Sequence, residues 1–305
     1  MKRLRRFLSN RQILLGCLLV GAFVAIAILA PVLAPPEDPE NPSTTRVVGR
    51  YYDYLPHPPS EEALLGTVPG QLDIYYSLIW GTRSALRFGL VVALSTAVIG
   101  ILVGALSGYR GGIVEGLAMR VTDAFLSFPA IAGVWLLQQV MMPSSPFGEL
   151  TPIQQVFYDL RLDPVLLTLV LFSWMPYARL THANVVQQKR AEYVEAAVSV
   201  GVRSRRIIGR HLLPNVLPPV VVLGARDVGA MVILATAFTF IGLGGSTEWG
   251  MLLVAGRDYV IGAGGNPLTY WWVFVPTTVA LILFGIGWNL LGDGLNTVLD
   301  PRISR

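Results

Sequence analysis

Apolar runs about twenty residues long, separated by short polar stretches, dominate this chain. Six can be read, over 12–34, 87–107, 117–142, 165–180, 216–243 and 270–291. About 20 residues at 1.5 Å each cross a bilayer core of about 30 Å. The runs are unbroken, whereas a barrel strand would alternate polar and apolar positions. Lipid offers backbone groups no partner, so the pattern predicts helices. The fourth run is short and ends in polar residues. Between the first two runs, Pro35-Pro36, Pro56 and Pro58-Pro59 predict an extended segment. At 73–86 the pattern turns helical, with Tyr75, Tyr76 and Trp80 suited to a membrane interface.

Composition supports a membrane chain. Of 305 residues, 53% are hydrophobic and 14% charged, too few charges to cover a soluble surface of this size. The net charge of +4 does not point to nucleic acid, because the basic residues gather at the ends of the apolar runs. Lys2, Arg3, Arg5, Arg6 and Arg11 precede the first run, which could pass for a secretory signal. Its length and the Pro35-Pro36 that follows argue for a retained anchor with a cytoplasmic N-terminus. Six crossings then return Arg302 and Arg305 to the cytoplasm and put Lys189, Arg190, Arg203, Arg205, Arg206 and Arg210 there too. The loop 35–86, with Glu37, Asp38, Glu40, Asp53, Glu61, Glu62 and Asp73, falls outside, in keeping with positive-inside sorting. Cys17 is the single cysteine and lies inside the first run, so no disulfide within the chain is possible.

Several chemistries are missing. Lys2 and Lys189 are the only lysines and neither follows a glycine-rich turn, so the chain has no phosphate-binding loop of its own. His57, His182 and His211 are scattered and form no helical zinc pair. No Gly-x-Ser-x-Gly elbow is present. The expectation is no catalytic residue, no metal site and no cofactor bound by this chain.

The polar stretch 189–215 reads as two short helices broken near Gly201, which permits a sharp turn, with Pro214 stopping the second helix before the next crossing. Ala196 and Ala197 are small enough for another backbone to approach closely. Arg203, Arg206 and Arg210 recur at helical spacing, as do Ile207 and His211. Spacing alone leaves two readings, a docking surface or a basic loop resting on anionic headgroups. Elsewhere, Gly100, Gly104 and Gly108 predict a helix-packing face, and Arg120 and Asp123 can pair along one helix. Tyr270, Trp271 and Trp272 mark an interface belt. Arg226 and Asp227 sit together in the fifth run. Charges at that depth need a partner or a water-filled path, and neighbours about 100° apart on a helix each need their own.

The order Glu195-Ala196-Ala197, Gly201, then His211-Leu212-Leu213-Pro214-Asn215 resembles the EAA loop of inner-membrane permease subunits of ABC importers. Gly81-Thr82-Arg83-Ser84-Ala85-Leu86, Met119-Arg120-Val121-Thr122-Asp123, Phe240-Ile241-Gly242-Leu243-Gly244 with Glu248-Trp249-Gly250, and Leu291-Gly292-Asp293-Gly294-Leu295 with Leu299-Asp300-Pro301-Arg302 extend the likeness over most of 65–302. They are similar to the oligopeptide/dipeptide branch, second-permease type. The chain departs from that pattern at Leu65–Asp73, where the branch usually carries Gly-Arg-Asp, and at Arg226-Asp227, where it is mostly apolar or small.

The resemblance implies an all-α membrane protein of the type I ABC importer permease fold. Its expected parts are a cytoplasmic N-terminus (1–11), an anchor helix (12–34), an extracytoplasmic loop (35–86), a five-helix core (87–295) holding the coupling loop 189–215, and a cytoplasmic tail (296–305) in a bacterial or archaeal inner membrane. Glu195, Ala196, Ala197, Gly201, Arg206, Ile207, His211 and Pro214 would form the ATPase-coupling surface, with Arg226 and Asp227 as candidates for the translocation path. Implied partners are a second permease, two ATPase subunits that use ATP and Mg, an extracytoplasmic substrate-binding protein and membrane lipid, with no nucleic acid. Peptides are the expected cargo, with nickel chelates or sugars as alternatives. An ion-coupled carrier using Arg226 and Asp227 is the other class, but it would have no need of the Glu195–Pro214 loop.

Overall fold

The structure, a computed structural model, describes residues 11–38, 42–49, 54–141, 150–160, 162–245, 247–262 and 265–299. The expected N-terminal segment before Arg11, Glu40, Arg50, Asp53, Met142 and the tail with Arg302 and Arg305 lie outside them. Helix α1 spans Arg11–Leu33. A small antiparallel hairpin follows, β1 Thr67–Val68 and β2 Leu72–Asp73, in the register Thr67 to Asp73 and Val68 to Leu72. Gly70 and Gln71 turn it with positive φ of 81° and 58°.

Asp73 then caps α2, Ile74–Arg110, accepting from the Tyr76 amide at 3.2 Å. Arg46 pairs with the same carboxylate at 3.3 Å. Burial pushes the Asp73 carboxyl above its ordinary pKa, against the pull of the Tyr76 amide and of Arg46. The helical stretch expected over 73–86 is therefore no separate element. It runs on into the second crossing as one helix of 37 residues.

The third run is broken. Helices α3 (Gly112–Leu126) and α4 (Ala130–Met141) meet at 83° around Ser127, Phe128 and Pro129, where proline biases the preceding residue away from helix. A short α5, Pro152–Asp159, carries a Thr151 and Gln154 capping box. Helices α6 (Pro164–Phe172) and α7 (Met175–Lys189) form the fourth crossing, interrupted where Pro176 lacks the N–H that would reach back to Phe172. Beyond the polar loop, α8 is Glu192–Ser199, α9 Ser204–Ile207 and α10 Leu213–Phe240, with a π-helical turn over Ile208–Leu212. Helix α11, Glu248–Ile261, and α12, Trp271–Leu299, complete the order. Among the described residues, five helical runs are long and apolar enough to cross a membrane, or six if the bent α3–α4 pair is one. That agrees with the six crossings expected from the sequence.

Packing uses small residues where helices touch, since lipid gives apolar side chains no reason to prefer each other. Gly100, Gly104 and Gly108 lie against α7, at Trp174 and Ala178, at Thr181 and His182, and at Val185 in turn. Gly229 on α10 meets Gly285 on α12, and Gly16 on α1 meets Leu291. Phe23, Trp249 and Phe284 lock α1, α11 and α12 edge to face, with centroids 5.1 Å (Phe23 to Phe284) and 5.6 Å (Trp249 to Phe284) apart. At the hairpin end, the chain after α1 is strapped down. Tyr75 donates to Leu33 O at 3.2 Å, Trp80 to Ala34 O at 3.0 Å, Tyr76 to Ser43 O at 2.9 Å and Tyr259 to Tyr54 O at 3.0 Å. Of the expected belt residues, Trp271 is exposed while Trp272 is buried under the left-handed Gly66.

Candidate functional site

The polar loop at the end opposite the hairpin is built on two supports. Lys189, the last residue of α7, donates to Tyr109 O at 2.6 Å and sits over the Tyr109 ring, so the end of α2 holds the end of α7. Asn215 on α10 donates to Tyr193 Oη at 3.2 Å, and Tyr193 donates to Gln188 at 2.8 Å. Helix α8 is thus tethered at its start to both α7 and α10.

Its end is a Schellman motif. The Gly201 amide bonds Val198 O at 2.9 Å and the Val202 amide bonds Ala197 O at 3.0 Å. This requires a left-handed residue at 201, and φ there is +78° with open space around the glycine. The chain's own need for Gly201 is therefore conformational. Beyond it, Ile207 and Leu212 are buried with Val194, Val216 and Tyr177, and they carry the loop on the helix bundle.

The residues named from the sequence divide into two groups. Glu195, Ala196, Gly201 and Arg206 are exposed together, joined by Val198 at 56% and Val200 at 79% exposure, apolar anchors the sequence did not single out. Ile207 is instead buried, and Ala197 and His211 are half-buried, so these three support the surface from beneath. Pro214 does not stop the second helix. Residues 204–240 form one helical run, with Pro214 in the first turn of α10. A π turn precedes it, and a wider turn gives the proline ring room against the preceding carbonyls. Beside α8 opens a cleft of about 590 Å³ lined by Tyr109, Glu115, Lys189, Val194 and Glu195. At its edge His182 Nε2 meets Glu115 Oε1 at 3.0 Å, joining α7 to α3.

A second constellation lies along α10, where it meets α12 and α7. Arg226 pairs with Asp293 on α12, and the absence of a side chain at Gly292 opens the room its stem crosses. Asp227, its neighbour on α10, faces Tyr177 of α7. The fully buried Tyr177 hydroxyl comes close enough to interact with Asp227 and Thr96 without the geometry of a completed hydrogen bond. The two neighbours thus have separate surroundings, as their angular separation requires. Asp123 bonds to Arg179 Nε at 3.1 Å instead of pairing with Arg120 on its own helix. Glu248 accepts from Ser84 at 2.8 Å, and its other oxygen is buried without a hydrogen bond. Among the described residues, no three His, Cys, Asp or Glu side chains converge as a metal site would require. Tyr177, Arg179 and Asp293 were not recognised as partners from sequence; Asp293 alone left a trace, as a lone acid between glycines in an apolar run.

Residues 100–305 match the family described as the binding-protein-dependent transport system inner membrane component. Residues 2–56 match the N-terminal transmembrane domain of oligopeptide transport permease C. A putative peptide transport system permease protein of Brucella abortus is 32% identical over 304 residues, 98% of this chain and 90% of that one. The dipeptide transport system permease protein of Alkalihalophilus pseudofirmus is 28% identical, over 97% and 87% of the two chains. A probable D,D-dipeptide transport system permease protein of Escherichia coli is 29% identical, over 92% and 86%. Among solved structures, a chain of the inward-facing MetNI methionine ABC transporter superposes with a TM-score of 0.53 at 20% identity, covering 73% of this chain and 96% of that chain. That likeness carries the fold.

Proposed function

This chain belongs to the family of binding-protein-dependent transport system inner membrane components, and from that premise we propose that it is the second permease subunit of an ATP-driven peptide importer. With a related permease it would line one pathway, fed by an extracytoplasmic binding protein and driven by two ATPase subunits. ATP and Mg belong to those subunits; the permease moves cargo and makes or breaks no covalent bond. The peptide and dipeptide names of its relatives support the cargo class.

In this reading 189–215 faces the cytoplasm with both termini, 35–86 lies outside, and 87–295 forms the core behind the anchor 12–34. The observation that carries the reading is the stance of α8. It is tethered at one end, closed by a Schellman turn at the other, and presents Glu195, Ala196 and Val198 outward. A self-powered carrier has no use for such a platform.

Gly201 tests it. Asparagine tolerates left-handed φ and leucine does not, at about 1–2 kcal/mol, and leucine adds bulk to a surface that is open within this chain. In the reconstituted complex, Gly201→Asn should keep most ATP-driven uptake. Gly201→Leu should uncouple ATP hydrolysis from uptake. Full uptake in Gly201→Leu removes the docking assignment.

A further inference from the structure

Between α11 and α12, at the hairpin end, opens an apolar slot of about 180 Å³, outside both constellations described above. Leu253, Val260, Phe274 and Thr278 line it, and Arg257 is the one charged residue on its wall. Its depth follows from α1. Ile13 packs against Gly294, Gly16 against Leu291, Leu19 and Val20 against Gly287, and Phe23 against Phe284. Continued one for one, this antiparallel register sets Phe274 level with Leu33, the last residue of α1. The 23 residues of α1 reach about 34 Å at 1.5 Å each, just enough to cross a core of about 30 Å. Phe274 therefore lies at the bilayer boundary, with Trp271 exposed one turn beyond it and Thr278 one turn deeper.

Arg257 is under-used by its own chain. Among the described residues its polar contacts are Phe240 O and the Asp258 carboxylate, each at 3.5 Å, long for a group with five N–H donors. A guanidinium so placed matches a phosphate, which it can hold by two parallel bonds, and the apolar slot beside it matches an acyl chain. Free phosphate would have no use for the slot, and a polar solute none for its walls. Asp258 completes the match. Exposed next to Arg257, it makes the pair neutral overall, so the complementary headgroup carries both signs. We infer that the slot holds one zwitterionic phospholipid of the leaflet at the hairpin end. Its phosphate sits on Arg257, its headgroup ammonium on Asp258 and one acyl chain against Phe274 and Thr278. Held so, α11, whose 14 residues are too few to cross the bilayer, is fastened at the membrane surface.

The test uses the complete transporter in vesicles of phosphatidylethanolamine and phosphatidylglycerol, the first carrying a diazirine in one acyl chain, with crosslinked residues mapped by mass spectrometry. Label should reach the slot residues of α11 and α12. Arg257→Ala should cut it about 10- to 100-fold, as loss of a charge-assisted hydrogen bond does, while label at Ile28 and Val32 on the exposed side of α1 stays constant. Thr278→Phe fills the slot and should cut it with Arg257 in place. With the diazirine moved to phosphatidylglycerol, slot label should fall several-fold, and Asp258→Asn should erase that preference. Unchanged slot label in Arg257→Ala or in Thr278→Phe overturns the lipid site. Equal label from the two lipids in the wild type overturns the zwitterionic headgroup. An unlabelled slot in the wild-type transporter, beside labelled Ile28 and Val32, overturns the inference and leaves the slot to the partner permease. The importer reading stands apart from all of these outcomes.

Discussion

At the scale of single residues, glycines separate by what surrounds them. Gly104 lies where a Cβ would press into the Ala178 carbonyl and come within 2.7 Å of Thr181 Cβ, with backbone on the opposing side that cannot move aside. Gly104→Val should therefore overpack the α2–α7 contact and cost about 1–3 kcal/mol. Gly116, on α3, has nothing within 4 Å, so Gly116→Ala should be neutral or gain up to about 1 kcal/mol from helix propensity. Thermal unfolding of the two purified variants checks the contrast; equal loss would mean that close approach does not hold these helices. The stripe itself was legible because every-fourth-residue glycine is a pattern along one helix. Ion pairs were not legible in the same way. Arg226 and Asp293 are 67 positions apart, and Asp123 bonds to Arg179 across 56, so local spacing favoured Arg120 for want of any long-range signal.

Among elements, the crossings were readable because apolar length alone decides them in lipid. Helix α11 was not, since 14 residues containing Glu248, Arg257 and Asp258 are too short and too polar to look like a crossing. The break within 117–142 was masked by continuous hydropathy, although Phe128-Pro129 held the cause. The junction of α9 and α10 shows how a local rule can mislead. Proline was read as a stop, whereas a π turn lets the helical path continue around it. Pro214→Ala restores the missing donor, so the turn over Ile208–Leu212 should relax to ordinary i→i−4 bonding and its amides should exchange more slowly. Unchanged hydrogen exchange there would assign the turn to the burial of Ile207 and Leu212 rather than to proline.

For the whole molecule, the charge bias between the two sides gave an orientation in which the hairpin end faces outward. Ser43, exposed beside Arg46 and bonded to Tyr76 through its backbone carbonyl, is a suitable reporter because its side chain can change without loss of that bond. In a Cys17→Ala background, Ser43→Cys should react with an impermeant thiol reagent on intact cells. Labelling only after lysis would invert the orientation. The strut between Arg226 and Asp293 also has a consequence for biogenesis. Helix α10 leaves the ribosome before α12 exists, so its arginine reaches the insertion channel with its counter-ion still untranslated, at about 2.5–3.5 kcal/mol on insertion scales. Holding α10 at the channel until α12 arrives, so that the last two crossings partition as a pair, would remove that cost. Loss of Asp293 would then show first as chains rejected during synthesis, before any finished transporter could run slowly.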